Sequence, residues 1–262
     1  MSNFKEVLET NFNSWGSYVT PPELIDKILG DFKDKDISRD NSRLVFSVCP
    51  DDVNRLTTRE TIEASLKEKF DNEFHLGGLG AYPIGGVSGI TAASHHPPDD
   101  ISSGDRKEGN LIFFVSPHVG ILEKDSMKLG KMVRPGQEKI TSSCGAMMGF
   151  LAALKEAGSA SDFNIAADDK NVDPTRIVLQ EQLINKFSSQ LDEILGINDS
   201  NKQVADLFKL NYDLVANKAK EMIKEFMAKE HFEGKIAFIG GITVNLPGKD
   251  TFLLKEISYP KA

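Results

Sequence analysis

Two runs of apolar residues along the chain are each followed by residues that can bind a ligand. The first run covers residues 44–48 and is followed directly by Cys49, and the second covers 111–115 and leads to His118. Short apolar runs of this kind are typical of strands that are buried on both faces of a sheet. If the two strands are parallel neighbours, Cys49 and His118 lie at the same carboxyl edge, where open α/β sheets bind their ligands.

Start signals predict two helices in the first third of the chain. Thr20 followed by two prolines and a glutamate is typical of a helix N-terminus, and this helix is predicted to run to about Gly30. Thr57 and Glu60 have the spacing of a capping box, and apolar residues follow at helical intervals as far as Phe70.

The rest of the pattern predicts an α/β protein with a mostly parallel sheet flanked by helices. We expect one domain over residues 1–262, with a helical lead-in at about 1–40. The predicted C-terminal elements are two long helices and two final strands, at 175–195, 200–230, 235–244 and 251–258.

Composition and charge exclude several classes of protein. The 262 residues are 40% hydrophobic and 27% charged, as in ordinary globular proteins. The net charge of -8 argues against nucleic acid or an anionic membrane as the main partner. Because the sequence shows neither a membrane-spanning apolar run nor a secretory signal, we expect a cytoplasmic protein.

Two cysteines in a chain of this length do not form a disulfide framework. Cys144 lies at the predicted start of a helix, where backbone N–H groups and the helix dipole favour the thiolate. Together with Cys49 and His118 it forms a Cys2His set, which is a pattern of catalytic zinc sites with an open fourth position. The long spacing lacks the short repeats of most zinc motifs, so the alternative is that both cysteines are small buried residues of the core.

Two further segments leave alternatives open. The glycine-rich stretch at 76–86 lacks nucleotide-binding spacing and forms either the wall of a pocket or a region of tight packing. Either His95 or His96 serves as a proton shuttle, or both order a loop through hydrogen bonds with Asp99 or Asp100.

Five blocks of sequence, taken together and in this order, resemble the limiting-CO2-inducible B/C family, which is similar to the β-carbonic anhydrases. Each block alone is too short to be specific, but the set covers residues 44 to about 150. The blocks are CPDDVNR at 49–55, LGGLG at 76–80, SHHPPDD at 94–100, SPHVG at 116–120 and, after RPGQ at 134–137, SCGA at 143–146.

The resemblance implies a β-carbonic anhydrase-like fold with Zn2+ held by Cys49, His118 and Cys144. It also implies that Asp51 accepts a hydrogen bond from zinc-bound hydroxide, while an arginine holds this carboxylate. In the wider β-class that arginine lies two positions after the aspartate, where this chain has a valine. We therefore expect Arg55 to take the role, with Arg59 as the alternative.

The activity that the resemblance implies is reversible hydration of CO2 to bicarbonate, carried out by a homodimer. Two alternatives stay open. One is a zinc protein without activity that serves as a CO2 or bicarbonate sensor or as an assembly partner. The other is a different zinc hydrolase, although the sequence lacks the H-E-x-x-H motif of zinc peptidases.

Overall fold

The structure is a computed structural model that describes residues 2–56, 59–98, 109–122, 127–165 and 169–261. Its described strands form one mixed sheet and one separate hairpin. The strands are β1 (Ser17–Val19), β2 (Ser42–Val48), β3 (Glu73–His75), β4 (Asn110–Ser116), β5 (His118–Leu122), β6 (Lys128–Leu129), β7 (Lys131–Val133), β8 (Ile140–Ser142), β9 (Ile236–Leu246) and β10 (Lys249–Ser258).

The centre of the sheet is parallel and one side is antiparallel. Its order is β1-β10-β9-β4-β2-β3, in which β3, β2, β4 and β9 run parallel to one another, while β10 and β1 are antiparallel additions. The long strand β9 pairs with β4 through residues 236–240 and with β5 through residues 243–245. The predicted α/β fold is confirmed, and β9 brings β5 beside the carboxyl ends of the central strands.

Helices cover the sheet. They are α1 (Ser2–Phe12), α2 (Pro21–Phe32), α3 (Ile62–Lys69), α4 (Gly86–Ser94), α5 (Gly145–Ala157), α6 (Asp169–Val172), α7 (Pro174–Leu195) and α8 (Ser200–Lys229).

The start of α3 differs from the prediction. Its N-cap is Thr61, whose hydroxyl accepts a hydrogen bond from the backbone N–H of Ala64 at 3.1 Å. Thr57, the predicted cap, lies outside the described residues. The helix therefore begins one turn later, because a threonine nearer to its first apolar residue satisfies the free N–H groups.

Both faces of the sheet are buried, as the apolar runs predict. Along β2, Val45 packs into the larger core formed with α4, α5, α7 and α8, whereas Leu44 and Phe46 pack into the core formed with α2 and α3. Alternate residues of a strand point to opposite faces, so a strand covered on both sides has no polar face.

The N-terminal lead-in is more than helical. Between α1 and α2 it contains β1, which pairs with residues 252–254 of β10 and forms one edge of the sheet. A strand of three residues gives too short a pattern to be seen in the sequence. Among the residues that the structure describes, no helix is both long enough and apolar enough to cross a bilayer.

Candidate metal centre

The three predicted ligand residues meet at the carboxyl edge of the sheet. Cys49 follows β2, His118 begins β5, and Cys144 is the N-cap of α5. Their ligand atoms lie within 4.8 Å of one another, and the two sulfur atoms are 3.6 Å apart. All three side chains are at most 1% exposed. Among the described residues, this is the one group of cysteine, histidine and carboxylate side chains close enough to hold a metal ion.

Close backbone packing fixes the position of Cys49. The side-chain amide nitrogen of Asn54 donates to the carbonyl oxygen of Cys49 at 3.1 Å. Gly77 packs against Val48, the residue before Cys49. A Cβ atom on Gly77 would lie 2.3 Å from the carbonyl oxygen of Val48, so only glycine fits there. At this position the glycine-rich stretch serves tight packing.

The two thiols differ in acidity. The hydrogen bond that they share and burial raise the pKa of Cys49 well above its usual value. The same hydrogen bond, with backbone N–H groups at the start of α5, lowers the pKa of Cys144. A helix N-terminus therefore stabilises one thiolate of the pair, as a metal ligand requires.

His118 has one ring nitrogen engaged and one available. Its Nδ1 lies 2.7 Å from Oδ1 of Asn245, whereas its buried Nε2 has no hydrogen-bond partner among the described residues. Burial lowers the pKa of His118, but the neighbouring Cys49 and Asp51 outweigh burial and raise it to about 8. A buried ring nitrogen without a partner is costly, and binding a metal ion would remove that cost.

A buried polar chain continues behind the histidine. The amide nitrogen of Asn245 donates to Oδ1 of Asn54 at 3.1 Å and to Oδ1 of Asp250 at 2.9 Å. Arg59 in turn donates to Oδ1 of Asp250 at 2.5 Å. Neither Asn245 nor Asp250 was predicted as a functional residue, although a polar residue in the apolar strand β9 is a signal that could have identified Asn245.

The arginine that holds Asp51 is Arg134, which follows β7. Its Nη1 lies 2.6 Å from Oδ1 of Asp51 and its Nη2 lies 2.9 Å from Oδ2, which makes a bidentate pair. Arg134 also donates to Asp52. Burial raises the pKa of Asp51, but Arg134 and the charge of His118 more than offset burial and lower it to about 2. Asp51 is therefore ionised at neutral pH.

The expected pairing of Asp51 with Arg55 is wrong, and so is the alternative with Arg59. Arg55 lies 3.4 Å from the buried carboxylate of Glu63 and 3.2 Å from Nδ1 of His75. Arg59 is committed to Asp250. Residues 52–54 form a single 3-10 turn after Asp51, and this turn directs the next arginine away from the aspartate.

Neither His95 nor His96 lies near the three ligand residues. Both follow the end of α4, and Arg43 at the start of β2 donates to the carbonyl oxygen of His96 at 2.9 Å. Cys49 comes six residues after Arg43, which corresponds to a distance of about 20 Å at the usual rise of a strand. Their placement therefore argues against a proton shuttle, and the expected partners Asp99 and Asp100 lie outside the described residues.

A cleft opens beside the site. Its volume is about 870 Å³, and its lining includes Leu122, Met132, Val133 and the side chain of Arg134. Arg134 connects the cleft to the site, because it also binds Asp51. The walls of the cleft combine apolar side chains with polar residues such as Arg134 and Gln137.

Two crystal structures share the fold of this chain. The crystal structure of PtLCIB4, a homolog of the limiting CO2-inducible protein LCIB, aligns with 98% of this chain and 95% of its own at 21% identity, with a TM-score of 0.77. The crystal structure of LCIB aligns with 94% of each chain at 17% identity, with a TM-score of 0.64. These likenesses show a common fold.

No curated protein matches the chain in sequence. The family model described as limiting CO2-inducible proteins B/C beta carbonic anhydrases, in contrast, matches residues 19–259. This match covers nearly the whole chain and includes every residue of the site. The chain therefore belongs to the family of limiting CO2-inducible proteins B/C beta carbonic anhydrases.

Proposed function

We propose that the protein binds one zinc ion through Cys49, His118 and Cys144 and catalyses the reversible hydration of CO2 to bicarbonate. The observation that carries the proposal is the buried Cys2His cluster with the unpaired Nε2 of His118 next to an ionised Asp51. Family membership supports the same reaction.

The donor set fits zinc. Two sulfur ligands at about 2.3 Å from a tetrahedral zinc ion would lie about 3.8 Å apart, close to the 3.6 Å between Cys49 and Cys144. Two thiolates and a neutral imidazole balance the charge of a divalent ion, so a buried site of this kind carries almost no net charge. Three protein ligands leave the fourth position for water or substrate.

A bound zinc ion supplies a nucleophile at neutral pH, because it lowers the pKa of a coordinated water molecule from 15.7 to about 7. The role of Asp51 follows from its ionised state, in which a carboxylate can only accept hydrogen bonds. Its Oδ2 lies 3.7 Å from Nε2 of His118, close to the centre without being one of the three ligands. With zinc bound, Asp51 would orient the hydrogen of the attacking group, and Arg134 holds the carboxylate through its two hydrogen bonds.

We also propose that CO2 enters through the cleft beside Arg134, and that the protein works in the cytoplasm as a homodimer. The position of Arg134, which lines the cleft and binds Asp51, supports the route. Light scattering on the purified protein would test the dimer, since a monomeric mass would contradict it.

Zinc analysis combined with CO2 hydration rates tests the function. We expect about one zinc ion per chain in the wild type and in Asp51→Ala, but a loss of most hydration in the variant. Asp206→Ala is the matched control. Asp206 is also paired with cations, but it lies in α8 and its partners are two lysines. A wild type that binds zinc without hydrating CO2 would favour the sensor or assembly role, and a wild type without zinc would contradict the site.

A further inference from the structure

We propose that the buried chain Arg59–Asp250–Asn245 is a positioning device that fixes the tautomer and orientation of His118 and thereby sets the affinity of the site for its metal. This inference rests on the proposed metal site and assigns a role to residues outside it. The chain joins three separate segments of the protein, since Arg59 precedes α3, Asp250 lies in β10 and Asn245 in β9.

The direction of every hydrogen bond in the chain is determined. Arg59 can only donate, so Asp250 accepts from it, and the amide nitrogen of Asn245 donates to the same carboxylate. Asn54 receives the second amide hydrogen of Asn245 on its Oδ1, because its own nitrogen donates to Cys49. The oxygen of Asn245 is then left to face Nδ1 of His118, and it can only accept.

The tautomer of His118 follows from this direction. Nδ1 must carry the hydrogen that Oδ1 of Asn245 accepts at 2.7 Å, so in the neutral ring Nε2 carries the lone pair. Nε2 is also the buried nitrogen that lacks a hydrogen-bond partner among the described residues. The chain therefore presents the nitrogen that can bind a metal and ties down the other one.

Burial makes the chain rigid. Asn245 is 0% exposed and Asp250 1%, and the side chain of Arg59 is 2% exposed. Arg59 is further held by the carbonyl oxygen of Leu246, and Oδ2 of Asp250 accepts from the backbone N–H of Ile62 at 3.2 Å. At this burial water has little access to replace a lost partner, so each member depends on its neighbours.

An asparagine at position 245 keeps the direct partner of His118 neutral. Asp250, which carries the carboxylate, is linked to the ring only through Asn245, and Arg59 pairs with this carboxylate. In N245D two carboxylates would face each other across the 2.9 Å contact, and Asn54 would lose its donor.

Zinc affinity measured by competition with a chromogenic chelator tests the proposal. Asn245→Leu removes the closer acceptor at nearly constant volume, since the hydroxyl of Ser143 lies 3.4 Å from Nδ1. It is expected to weaken zinc binding 10- to 100-fold, which is typical for partners of a ligand histidine. The matched control is Asn211→Leu, since Asn211 is also fully buried but donates to Gly80. The control is expected to keep wild-type affinity.

The tautomer itself is read from the nitrogen NMR shifts of His118 in the zinc-free wild-type protein above pH 8, where the ring is neutral, and this needs no variant to fold. Hydrogen on Nδ1 is expected, and hydrogen on Nε2 would overturn the proposal. Wild-type zinc affinity in a folded Asn245→Leu, or an equal loss in Asn211→Leu, would also overturn it while leaving the proposed function intact. A wild type that binds no zinc would instead refute the proposed function.

Discussion

The pairing of Arg134 with Asp51 leads to a prediction about catalysis. Arg134→Met keeps an unbranched stem but removes both hydrogen bonds, at 2.6 and 2.9 Å, that hold the carboxylate. Without them the pKa of Asp51, now about 2, should rise toward its ordinary value of 3.8, because burial raises it while the charge of His118 still lowers it. This change corresponds to about 2 kcal/mol in the free energy of ionisation.

The size of this shift determines which effect limits the variant. An aspartate with a pKa near 4 is still ionised at pH 7.5, so the loss of charge cannot slow the reaction there. What is lost is the fixed orientation of the carboxylate, and a misplaced group of this kind costs on the order of 100-fold in rate. We therefore expect Arg134→Met to bind zinc and to hydrate CO2 about 100-fold more slowly than the wild type.

Stopped-flow hydration at pH 7.5, with zinc content measured on the same samples, checks this prediction. Arg55→Met is the matched control, since Arg55 contacts Glu63 and His75 and should leave the rate close to that of the wild type. A wild-type rate in Arg134→Met would refute the role of the bidentate pair. Equal losses in the two variants would refute the distinction drawn between the two arginines.

Three further predictions follow from burial and packing. Cys144→Ser should lose most of its zinc in elemental analysis, whereas His96→Ala should keep it; the opposite result would mean that the ligands are wrongly assigned. Burial raises the pKa of Glu63 from 4.5 to about 7, so the folded state binds its proton more tightly, and this stability is lost as the pH rises from 4.5 through 7. Wild-type stability in urea unfolding should therefore fall by about 2.5 kcal/mol relative to Glu63→Gln between pH 5 and pH 8, and equal pH profiles would contradict the shift. Gly77→Ala should lower the free energy of unfolding by about 1–3 kcal/mol through overpacking, while Gly149→Ala, whose Cβ meets nothing within 4 Å, should not; equal melting temperatures in the two variants would count against the tight packing.

The grouping of Cys49, His118 and Cys144 could be predicted because their positions depend on local structure, whereas their assignment as ligands came from the family resemblance. An apolar run that ends at Cys49 predicts a buried strand, and the carboxyl ends of parallel strands meet at one edge. The partner of Asp51 depends instead on tertiary structure, because Arg134 is 83 positions away and reaches the site from the end of β7. Nearness in sequence favoured Arg55, and one 3-10 turn was enough to make that prediction wrong.

The same distinction explains the chain behind His118. Asn245 and Asp250 are close in sequence, but they face each other only because β9 and β10 form a hairpin with this register. Arg59 is 191 positions away from Asp250 in the sequence and donates a hydrogen bond to it. A sequence pattern predicts which face of the sheet each side chain of a strand points to. Contacts between strands depend on their register, which this pattern does not reveal.

Strand β1 protects an edge of the sheet. Its three residues cover the backbone of β10 at 252–254, where the sheet would otherwise present unpaired N–H and C=O groups to other chains. A chain shortened to begin at α2 would retain every ligand of the site but would leave β10 as a long, uncovered edge. Such a chain is expected to self-associate through strand pairing, so the N-terminal segment contributes to solubility.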